Sequence, residues 1–295
     1  MKKIEWARKI FHENEHLFQC PICGHGMYMS EERVLACINS HSYDLARQGY
    51  VNFLSGSKKT GYDRMMLESR SLISKEGLYT PLTEEISRIL GERPAGGDGT
   101  GVILDAGCGE GSHLKNVLDL RRQGTEKKIQ GVGIDISKDG IQIAAREWRD
   151  ILWCVADLAK MPFRNRQFDV LLNIFSPSNY GEFTRVLKED GILLKAVPGS
   201  RYLMEIRNLF YGNTEKETYS NERTVELFKR NFQLLDIREL VYQKAVRGDL
   251  VEHLIRMTPL SWGADDKARQ KAIETGIPQI TIDVAILVGR PFNSI

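Results

Sequence analysis

Long apolar segments are absent from this sequence. It contains no run of about 18 consecutive apolar residues, so it predicts no membrane-spanning helix. Its basic start, Met1-Lys2-Lys3, is followed by charged residues instead of the apolar stretch of a secretory signal peptide. We therefore expect a cytoplasmic protein that has no membrane partner.

A large excess of one charge is also absent. The 41 lysines and arginines nearly balance the 39 aspartates and glutamates, which leaves a net charge of +2. This balance excludes a strongly basic surface, so any contact with a nucleic acid must come from local clusters. A solvated surface is the alternative reading of each cluster. The clusters are Lys2, Lys3, Arg8 and Lys9; Lys58, Lys59 and Arg64; and Arg121, Arg122, Lys127 and Lys128.

Cysteine is scarce, and its five occurrences are an odd number. This argues against a disulfide framework and favours a reducing compartment. Cys108 and Cys154 lie in apolar stretches, where we expect them to be small core residues. The other three cysteines lie close together near the start of the chain.

These three cysteines and one histidine have the spacing of a zinc site. The pattern is C-x2-C, then thirteen residues, then C-x3-H. Four such ligands complete a tetrahedron and leave no position for a catalytic water, so we predict a structural metal that the small segment needs in order to fold. His25 is the alternative fourth ligand, and unligated reduced cysteines are the alternative to any metal. The predicted ligands are Cys20, Cys23, Cys37 and His41.

After residue 100 the hydrophobic pattern alternates between short apolar strands and amphipathic helices. This rhythm is typical of a mostly parallel sheet with helices on both faces. The predicted strands are 101–105, 129–134, 151–155, 168–174 and 190–197, with a closing pair at 232–241 and 281–289. The predicted helices are 111–121, 138–147, 179–187 and one near 248–257, preceded by helices at 3–12, 63–75 and 81–91.

One segment has the composition of a linker. Residues 55–61 are small, polar and basic, whereas the glycine-rich run 93–99 ends the helices that precede the α/β pattern. We therefore divide the chain into a zinc-binding domain, residues 1–58, and an α/β domain, residues 59–295, with a seven-stranded sheet.

The first strand of the α/β domain ends in a glycine-rich turn. In Asp105-x-Gly107-x-Gly109-x-Gly111, the glycines let the backbone approach a ligand just before a helix begins. Alone, this pattern would suit a dinucleotide equally well. Asp135 and Asp157, at the ends of the next two strands, are suited to ribose hydroxyls and to an adenine amino group, although each could instead cap a helix. Together with the pattern of residues 161–171, these features favour S-adenosylmethionine (SAM) and a Rossmann-like class I methyltransferase fold.

The end of the fourth predicted strand lacks a motif that is found in many N-methyltransferases. Many adenine and cytosine N-methyltransferases hold an exocyclic amino group with an Asn/Asp-Pro-Pro-aromatic cluster. Here the sequence is Asn173-Ile174-Phe175-Ser176-Pro177. A ring nitrogen, a carbon or an oxygen is therefore favoured as the methyl acceptor.

Further motifs are spread over nearly the whole chain. Together with the zinc and glycine-turn motifs, they resemble the bacterial RlmA-type 23S rRNA (guanine-N1)-methyltransferases, including the branch linked to tylosin resistance. Residues 257–262 and the combination of zinc with Gly49-Tyr50-Val51-Asn52 are the most specific parts. The motifs are Asp44-Leu45-Ala46-Arg47-Gln48-Gly49-Tyr50-Val51-Asn52, Tyr79-Thr80-Pro81-Leu82, Pro198-Gly199, Leu203-Met204-Glu205, Arg247-Gly248-Asp249 and Met257-Thr258-Pro259-Leu260-Ser261-Trp262.

The resemblance implies methylation of guanine N1 in hairpin 35 of 23S rRNA, at nucleotide 748 or 745. We favour 748, because the chain looks closer to the resistance-linked branch. It also implies a homodimer whose zinc modules help to form an RNA-binding cleft, so that residues 1–58 would recognise the rRNA.

The same resemblance adds two cofactor contacts, Tyr79 and Tyr202, although Tyr202 departs from a histidine found there in part of the family. The full expected cofactor-binding set is Tyr79, Asp105, Gly107, Gly109, Glu110, Gly111, Ser112, His113, Asp135, Ile136, Asp157, Leu158 and Tyr202.

Guanine N1 carries a proton, so its methylation needs a base. Glu182, Asp249 and His253 are weak candidates, since each suits a surface or capping role as well. A small-molecule methyltransferase and a non-catalytic zinc-dependent RNA-binding protein are the two alternatives. The zinc module disfavours the first, and the intact glycine turn disfavours the second. Phe175, Tyr180 and Trp262 could stack on guanine or belong to the core.

Overall fold

The computed structural model describes residues 2–56, 61–93, 101–123, 129–212, 219–264 and 266–292. Residues 57–60 of the predicted linker and residues 94–99 of the glycine-rich run lie outside the described residues, as do the basic residues Lys127 and Lys128. In the described parts of the chain, no helix is both long enough and apolar enough to cross a membrane.

Helices form close to the predicted positions. Asp63 caps the second helix by accepting a hydrogen bond from the Met66 N–H at 2.8 Å, and Ser137 caps the fifth by accepting one from the Gly140 N–H at 3.3 Å. The described helices are α1 (Lys3–Glu13), α2 (Arg64–Lys75), α3 (Thr80–Glu92), α4 (Ser112–Arg122), α5 (Lys138–Glu147), α6 (Tyr180–Val186), α7 (Met204–Tyr211), α8 (Glu222–Asn231), α9 (Val251–Arg256) and α10 (Asp266–Thr275).

Two sheets are present in the described residues. The small one is antiparallel, in the order β1-β2-β3, and the large one has eight strands in the order β10-β11-β9-β8-β5-β6-β7-β4. The strands are β1 (Met27–Met29), β2 (Val34–Cys37), β3 (Ser42–Asp44), β4 (Tyr50–Asn52), β5 (Gly101–Ala106), β6 (Ile129–Asp135), β7 (Ile151–Val155), β8 (Phe168–Ile174), β9 (Leu187–Pro198), β10 (Phe232–Ala245) and β11 (Gln279–Pro291).

The large sheet has the predicted mostly parallel arrangement. Strands β4 to β9 pair in parallel, and β11 joins β9 and β10 in antiparallel fashion. Every residue of β7 and β8 is buried, which is typical of parallel strands covered on both faces. Cys108 and Cys154 are buried, as predicted.

The N-terminal segment shares a core with the large sheet. The fully buried ring of Phe18 lies 5.6 Å from Phe11 and 5.3 Å from Phe163, measured between ring centroids. Strand β4 adds an eighth strand to the seven that were predicted, because the backbone of residues 50–52 pairs with β7. The predicted domain boundary at residue 58 therefore falls after a strand that already belongs to the α/β sheet.

Candidate active-site cleft and metal centre

The four predicted zinc ligands lie together. Their ligand atoms are all within 4.8 Å of one another. His41 Nδ1 is 3.5 Å from Cys20 Sγ and 3.6 Å from Cys37 Sγ, and Cys23 Sγ is also 3.6 Å from Cys37 Sγ. A zinc ion about 2.3 Å from sulfur and about 2.0 Å from nitrogen, at tetrahedral angles, requires ligand separations of about 3.5–3.8 Å. The donor set and its spacing therefore fit a zinc ion.

Two tight turns bring the ligands together. The Gly24 N–H donates to the Cys20 carbonyl at 2.8 Å, and the Ser40 N–H donates to the Cys37 carbonyl at 3.0 Å. Gly24 has φ +74°, which a glycine adopts without steric cost. His25, the alternative ligand, is exposed, its Nδ1 lies 3.3 Å from the Asn39 amide nitrogen, and it is outside the group of four ligand atoms that lie together.

A cleft opens at the carboxyl ends of the parallel strands. The chain leaves β5 for β6 on one side and later returns to β8 on the other, so the strand order reverses at β5. Open α/β sheets bind ligands in the crevice at such a reversal. The cleft has two lobes that share Tyr62, Arg70, Gly107, Gly109, Ile174 and Phe175.

The first lobe, here called the carboxylate lobe, has a volume of about 390 Å³. Asp135 and Asp157, at the ends of β6 and β7, both line it. Asp135 accepts a hydrogen bond from the Gly109 N–H at 2.8 Å and one from the Ser137 N–H at 2.7 Å. Asp157 accepts one from the Ala159 N–H at 2.9 Å. Neither carboxylate caps a helix, since Ser137 caps α5 and no helix directly follows Asp157; each instead accepts hydrogen bonds from nearby backbone N–H groups and lines the lobe.

The glycine turn is built around backbone that only glycine adopts easily. Gly107, Gly109 and Gly111 have φ values of +86°, +56° and +86°. A Cβ on Gly107 would lie 1.8 Å from Ser176 Oγ, so the turn and the segment after β8 pack without room for a side chain. Beneath the turn, both carboxylate oxygens of Asp105 are buried and have no hydrogen-bond partner among the described residues. Burial raises the pKa of Asp105 well above its usual range.

The second lobe, here called the aromatic lobe, has a volume of about 270 Å³. The hydroxyl groups of Tyr79 and Tyr202 lie 2.8 Å apart, and the Phe175 ring lies 5.1 Å from that of Tyr202. His113 joins the same cluster, 4.9 Å from Tyr79, and its buried Nδ1 has no partner in the described parts of the chain. Burial lowers the pKa of His113 to about 3, so the imidazole is neutral. Residues 257–260 form the apolar wall opposite.

The segment between the lobes is held by buried polar contacts. Phe175 has φ +53°, which is uncommon for a residue with a bulky side chain. Lys195 Nζ donates to Asn173 Oδ1 at 2.5 Å and to the Ser176 carbonyl at 3.0 Å. Burial lowers the pKa of Lys195 to about 8. The Asn173 amide also donates to the Ala106 and Pro177 carbonyls, at 2.8 and 3.0 Å.

The structure brings most of the expected cofactor-binding residues to the cleft. Three of them do not line it: Asp105 lies beneath the turn, Gly111 packs against Trp153, and Ser112 donates to the Glu110 carboxylate. Those that line it are Tyr79, Gly107, Gly109, Glu110, His113, Asp135, Ile136, Asp157, Leu158 and Tyr202.

The structure does not bring the three candidate bases to the cleft. Glu182 accepts hydrogen bonds from Arg185 and from the Met161 N–H at 2.7 Å, which hold α6 to the chain before β8. Asp249 pairs with Arg247 at 2.8 Å on the surface. His253 Nδ1 faces the Ser69 hydroxyl at 3.1 Å, between α2 and α9. All three therefore have structural partners away from both lobes.

The three candidate stacking residues also separate. Phe175 lines both lobes. Trp262 is 50% exposed and packs edge-on against Tyr62, 5.5 Å away, beside the cleft. Tyr180 packs against Phe183 and Phe228 in the core, outside the cleft lining.

Sequence reasoning missed Arg70, Tyr62 and Arg207, which line the cleft from α2, the segment before it and α7. Arg70 lies in a helix whose sequence pattern indicates only an amphipathic surface helix. A charge on such a helix is normally solvated, so no sequence signal separated it from its neighbours.

Known proteins resemble this chain both in its metal-binding segment and in the domain that forms the cleft. Residues 18–61 match the family model of the RlmA N-terminal zinc ribbon, and residues 98–246 match a methyltransferase domain. A Bacillus subtilis (strain 168) protein, YxjB, assigned to the 23S rRNA (guanine-N1)-methyltransferases, is 43% identical over 92% of this chain and 96% of its own length. A Streptomyces fradiae protein named 23S rRNA (guanine(748)-N(1))-methyltransferase is 31% identical, with the same coverage of both chains.

The chain belongs to the 23S rRNA (guanine-N1)-methyltransferase family. It is a SAM-dependent enzyme with a structural zinc ion. The cleft fits a polar cofactor, because Asp135 and Asp157 present carboxylate oxygens to it and the buried carboxyl group of Asp105, beneath the glycine turn, has no partner among the described residues. The expected family, fold class and two cofactors are confirmed.

Proposed function

We propose that this enzyme methylates N1 of guanine 748 in hairpin 35 of 23S rRNA, acting as a homodimer in the cytoplasm. The name of the Streptomyces fradiae relative, which specifies that nucleotide, supports this choice of position. The observation that carries the proposal is the shape of the cleft, in which the carboxylate lobe and the aromatic lobe meet at Gly107, Gly109 and Phe175.

The carboxylate lobe receives the adenosine part of the cofactor in this proposal. Asp135 uses its free lone pairs for the ribose hydroxyls, while its other contacts hold the Gly109 and Ser137 N–H groups in place. Asp157 accepts from the adenine amino group. When bound, SAM supplies an electrophilic methyl group on a sulfonium centre.

The aromatic lobe receives the guanine together with the methionine end of the cofactor, which Tyr79 and Tyr202 are expected to contact. Tyr79, Phe175 and Tyr202 give it the flat, apolar surfaces on which an unstacked base packs. The lobe is too enclosed to admit a base that is still stacked in an RNA duplex, so the target base must leave its stack to enter. A hairpin loop offers bases that already lack a pairing partner.

Asn173 supports a ring nitrogen as the methyl acceptor. It stands where the amino-binding cluster of other N-methyltransferases would begin, but it is fully buried. Its amide donates to two carbonyls, and its Oδ1 accepts from Lys195 and from Ser178. Since these contacts use its donors and its acceptor, Asn173 has no capacity left to hold an exocyclic amino group.

Loss of the N1 proton needs an acceptor inside the aromatic lobe. Glu110 and His113 supply the carboxylate and the imidazole among its described lining residues. Burial raises the pKa of Glu110 and lowers that of His113 to about 3, so Glu110 is the stronger base.

The N-terminal segment serves as the rRNA-recognition part. Its two metal-binding turns present Ile22 and Ile38, which are 64% and 72% exposed. These side chains project from a rigid, metal-held scaffold, and basic residues of α1 such as Arg8 lie on the same segment.

Primer extension tests the position of the methyl group. Purified enzyme and SAM are incubated with unmodified 23S rRNA, and reverse transcriptase then reads across hairpin 35. Because N1-methylation blocks the Watson–Crick edge, we expect a new stop one nucleotide before 748. A stop before 745 or at another site would refute the position but leave the reaction class intact. Absence of any new stop in 23S rRNA would refute the substrate.

A further inference from the structure

Arg70 lies at the junction of the two lobes. It is among the few residues that line both, and a Cβ built on Gly109 would lie 3.8 Å from its Nη1. Its Nη2 donates to the Met257 carbonyl at 3.1 Å, and its guanidinium carbon lies 5.5 Å from the centre of the Tyr62 ring. A guanidinium has five N–H donors, so most of them are available to a ligand.

Acidic side chains outnumber basic ones around the cleft. Two buried acids, Asp105 and Glu110, and the half-buried Asp135 lie along the glycine turn. In the described parts of the chain, no carboxylate oxygen lies within 4.0 Å of the Arg70 guanidinium. The cofactor has two positive groups, its ammonium and its sulfonium, which suit the acids. Its methionine carboxylate is negative, and a cation with free N–H donors stabilises it.

Arg207 is the other arginine that lines the cleft, but it is already engaged. It donates to the Ser200 carbonyl at 3.0 Å and to the Tyr202 carbonyl at 3.2 Å, and it packs over the Tyr219 ring. It lines the aromatic lobe and not the carboxylate lobe. Arg70, by contrast, lies beside the turn that both lobes share.

We propose that Arg70 binds the methionine carboxylate of the cofactor and so sets the preference for ligands that carry this group. The inference rests on the SAM-dependent part of the proposed function and is independent of which RNA is methylated. Its contact with the Met257 carbonyl would link an occupied cofactor site to the wall of the aromatic lobe.

The experiment compares two ligands in the complete, zinc-loaded protein without RNA. S-adenosylhomocysteine carries the carboxylate, whereas S-adenosyl-3-thiopropylamine keeps the amino group and lacks only the carboxylate. Competition calorimetry measures both affinities. We expect the wild-type protein to prefer the carboxylate ligand by roughly tenfold to a hundredfold, as for a charge-assisted hydrogen-bonded pair.

The variant Arg70→Met should lose this preference. Its affinity for S-adenosylhomocysteine should fall by the same factor, while that for the decarboxylated ligand should stay within about threefold, since only one contact is removed. Arg70→Lys keeps the charge without the paired donors and should lose less. Arg64→Met is the matched control, because Arg64 lies on the same helix, is paired with Glu68 and lines neither lobe of the cleft.

Three results would overturn the proposal. Equal losses for both ligands in Arg70→Met would show that Arg70 acts only by holding residues 257–260. Unchanged affinities would show that it does not touch the cofactor. No ligand preference in the wild-type protein would refute the contact even if the variant failed to fold. A failed primer-extension test would affect none of these measurements, because they use no RNA.

Discussion

Substitution of Gly107 by alanine should push apart the glycine turn and the segment after β8, which meet at the junction between the two lobes. Gly107 has φ +86°, and a Cβ at this position would lie 1.8 Å from Ser176 Oγ and 2.6 Å from Ser176 Cβ. Rotation of the serine side chain could move the Oγ, but the Cβ contact requires the backbone after β8 to shift. That segment includes Phe175, which lines both lobes, so cofactor affinity should fall together with stability.

The expected cost has two parts that can be separated. An alanine at positive φ costs roughly 1–2 kcal/mol, and overpacking costs roughly 1–3 kcal/mol more. Gly276→Ala measures the first part alone, because Gly276 has φ +77° and no atom within 4 Å of its added Cβ. The double variant Gly107→Ala/Ser176→Gly removes the clash and should recover about 1–3 kcal/mol of the loss.

Urea denaturation of the wild-type protein and these variants, with Ser176→Gly alone completing the cycle, measures each free energy of unfolding. The coupling between the two sites is the sum of the single effects minus the double effect. A coupling below about 0.5 kcal/mol would show that the two segments do not approach each other as closely as described. Equal costs for Gly107→Ala and Gly276→Ala would contradict the overpacking argument in the same way.

Three further predictions concern single residues. Cys23→Ser should lose the zinc that metal analysis finds at about one ion per wild-type chain, because three ligands hold the ion poorly; full retention would contradict the assigned ligand set. Asp135→Ala should weaken cofactor binding in calorimetry by roughly tenfold to a hundredfold. Because two backbone N–H groups lose their acceptor, it should also lower the free energy of unfolding by about 2–4 kcal/mol. Unchanged cofactor affinity would refute the placement of Asp135 at the cofactor. Burial lowers the pKa of His113 to about 3 in the folded protein, whereas the unfolded state takes up the extra proton below about pH 6.5. The stability that comes from burying the neutral imidazole is therefore complete above that pH and is lost as the pH falls towards 3. Denaturation of His113→Gln between pH 5 and 7.5 should therefore show a weaker acid-induced loss than wild type, with a difference of up to about 2 kcal/mol at pH 5, and identical pH profiles would refute this.

The shared core changes how the N-terminal segment can be tested. Removing residues 1–54 would delete β4 from the edge of the large sheet and would expose the buried surfaces that Phe11 and Phe18 cover. Loss of methylation in such a protein would not separate RNA recognition from folding. Substitutions of Ile22 and Ile38 are the better test, because both are exposed and neither contributes a zinc ligand.

The sequence alone determined the parts of this protein that depend on local patterns. Runs that are wholly apolar in β7 and interrupted only by Asp169 and Asn173 in β8 predicted both strands at their observed bounds, because a strand buried on both faces has few polar positions. The zinc ligands followed from short spacings within two turns, and the glycine turn followed from residues next to one another. Each of these features is complete within about twenty residues.

Only the tertiary structure decided the features that depend on distant segments. Strand β4 could be read equally well as part of the zinc segment, and its partner β7 lies about a hundred residues later in the chain. Glu182, Asp249 and His253 are chemically capable bases, but the fold gives them partners outside the cleft. Arg70 has no distinguishing local sequence, and the packing of α2 beside the glycine turn places its charge in the cleft. The chemical type of a side chain is written in the sequence, whereas the groups that surround it are set by how the chain folds.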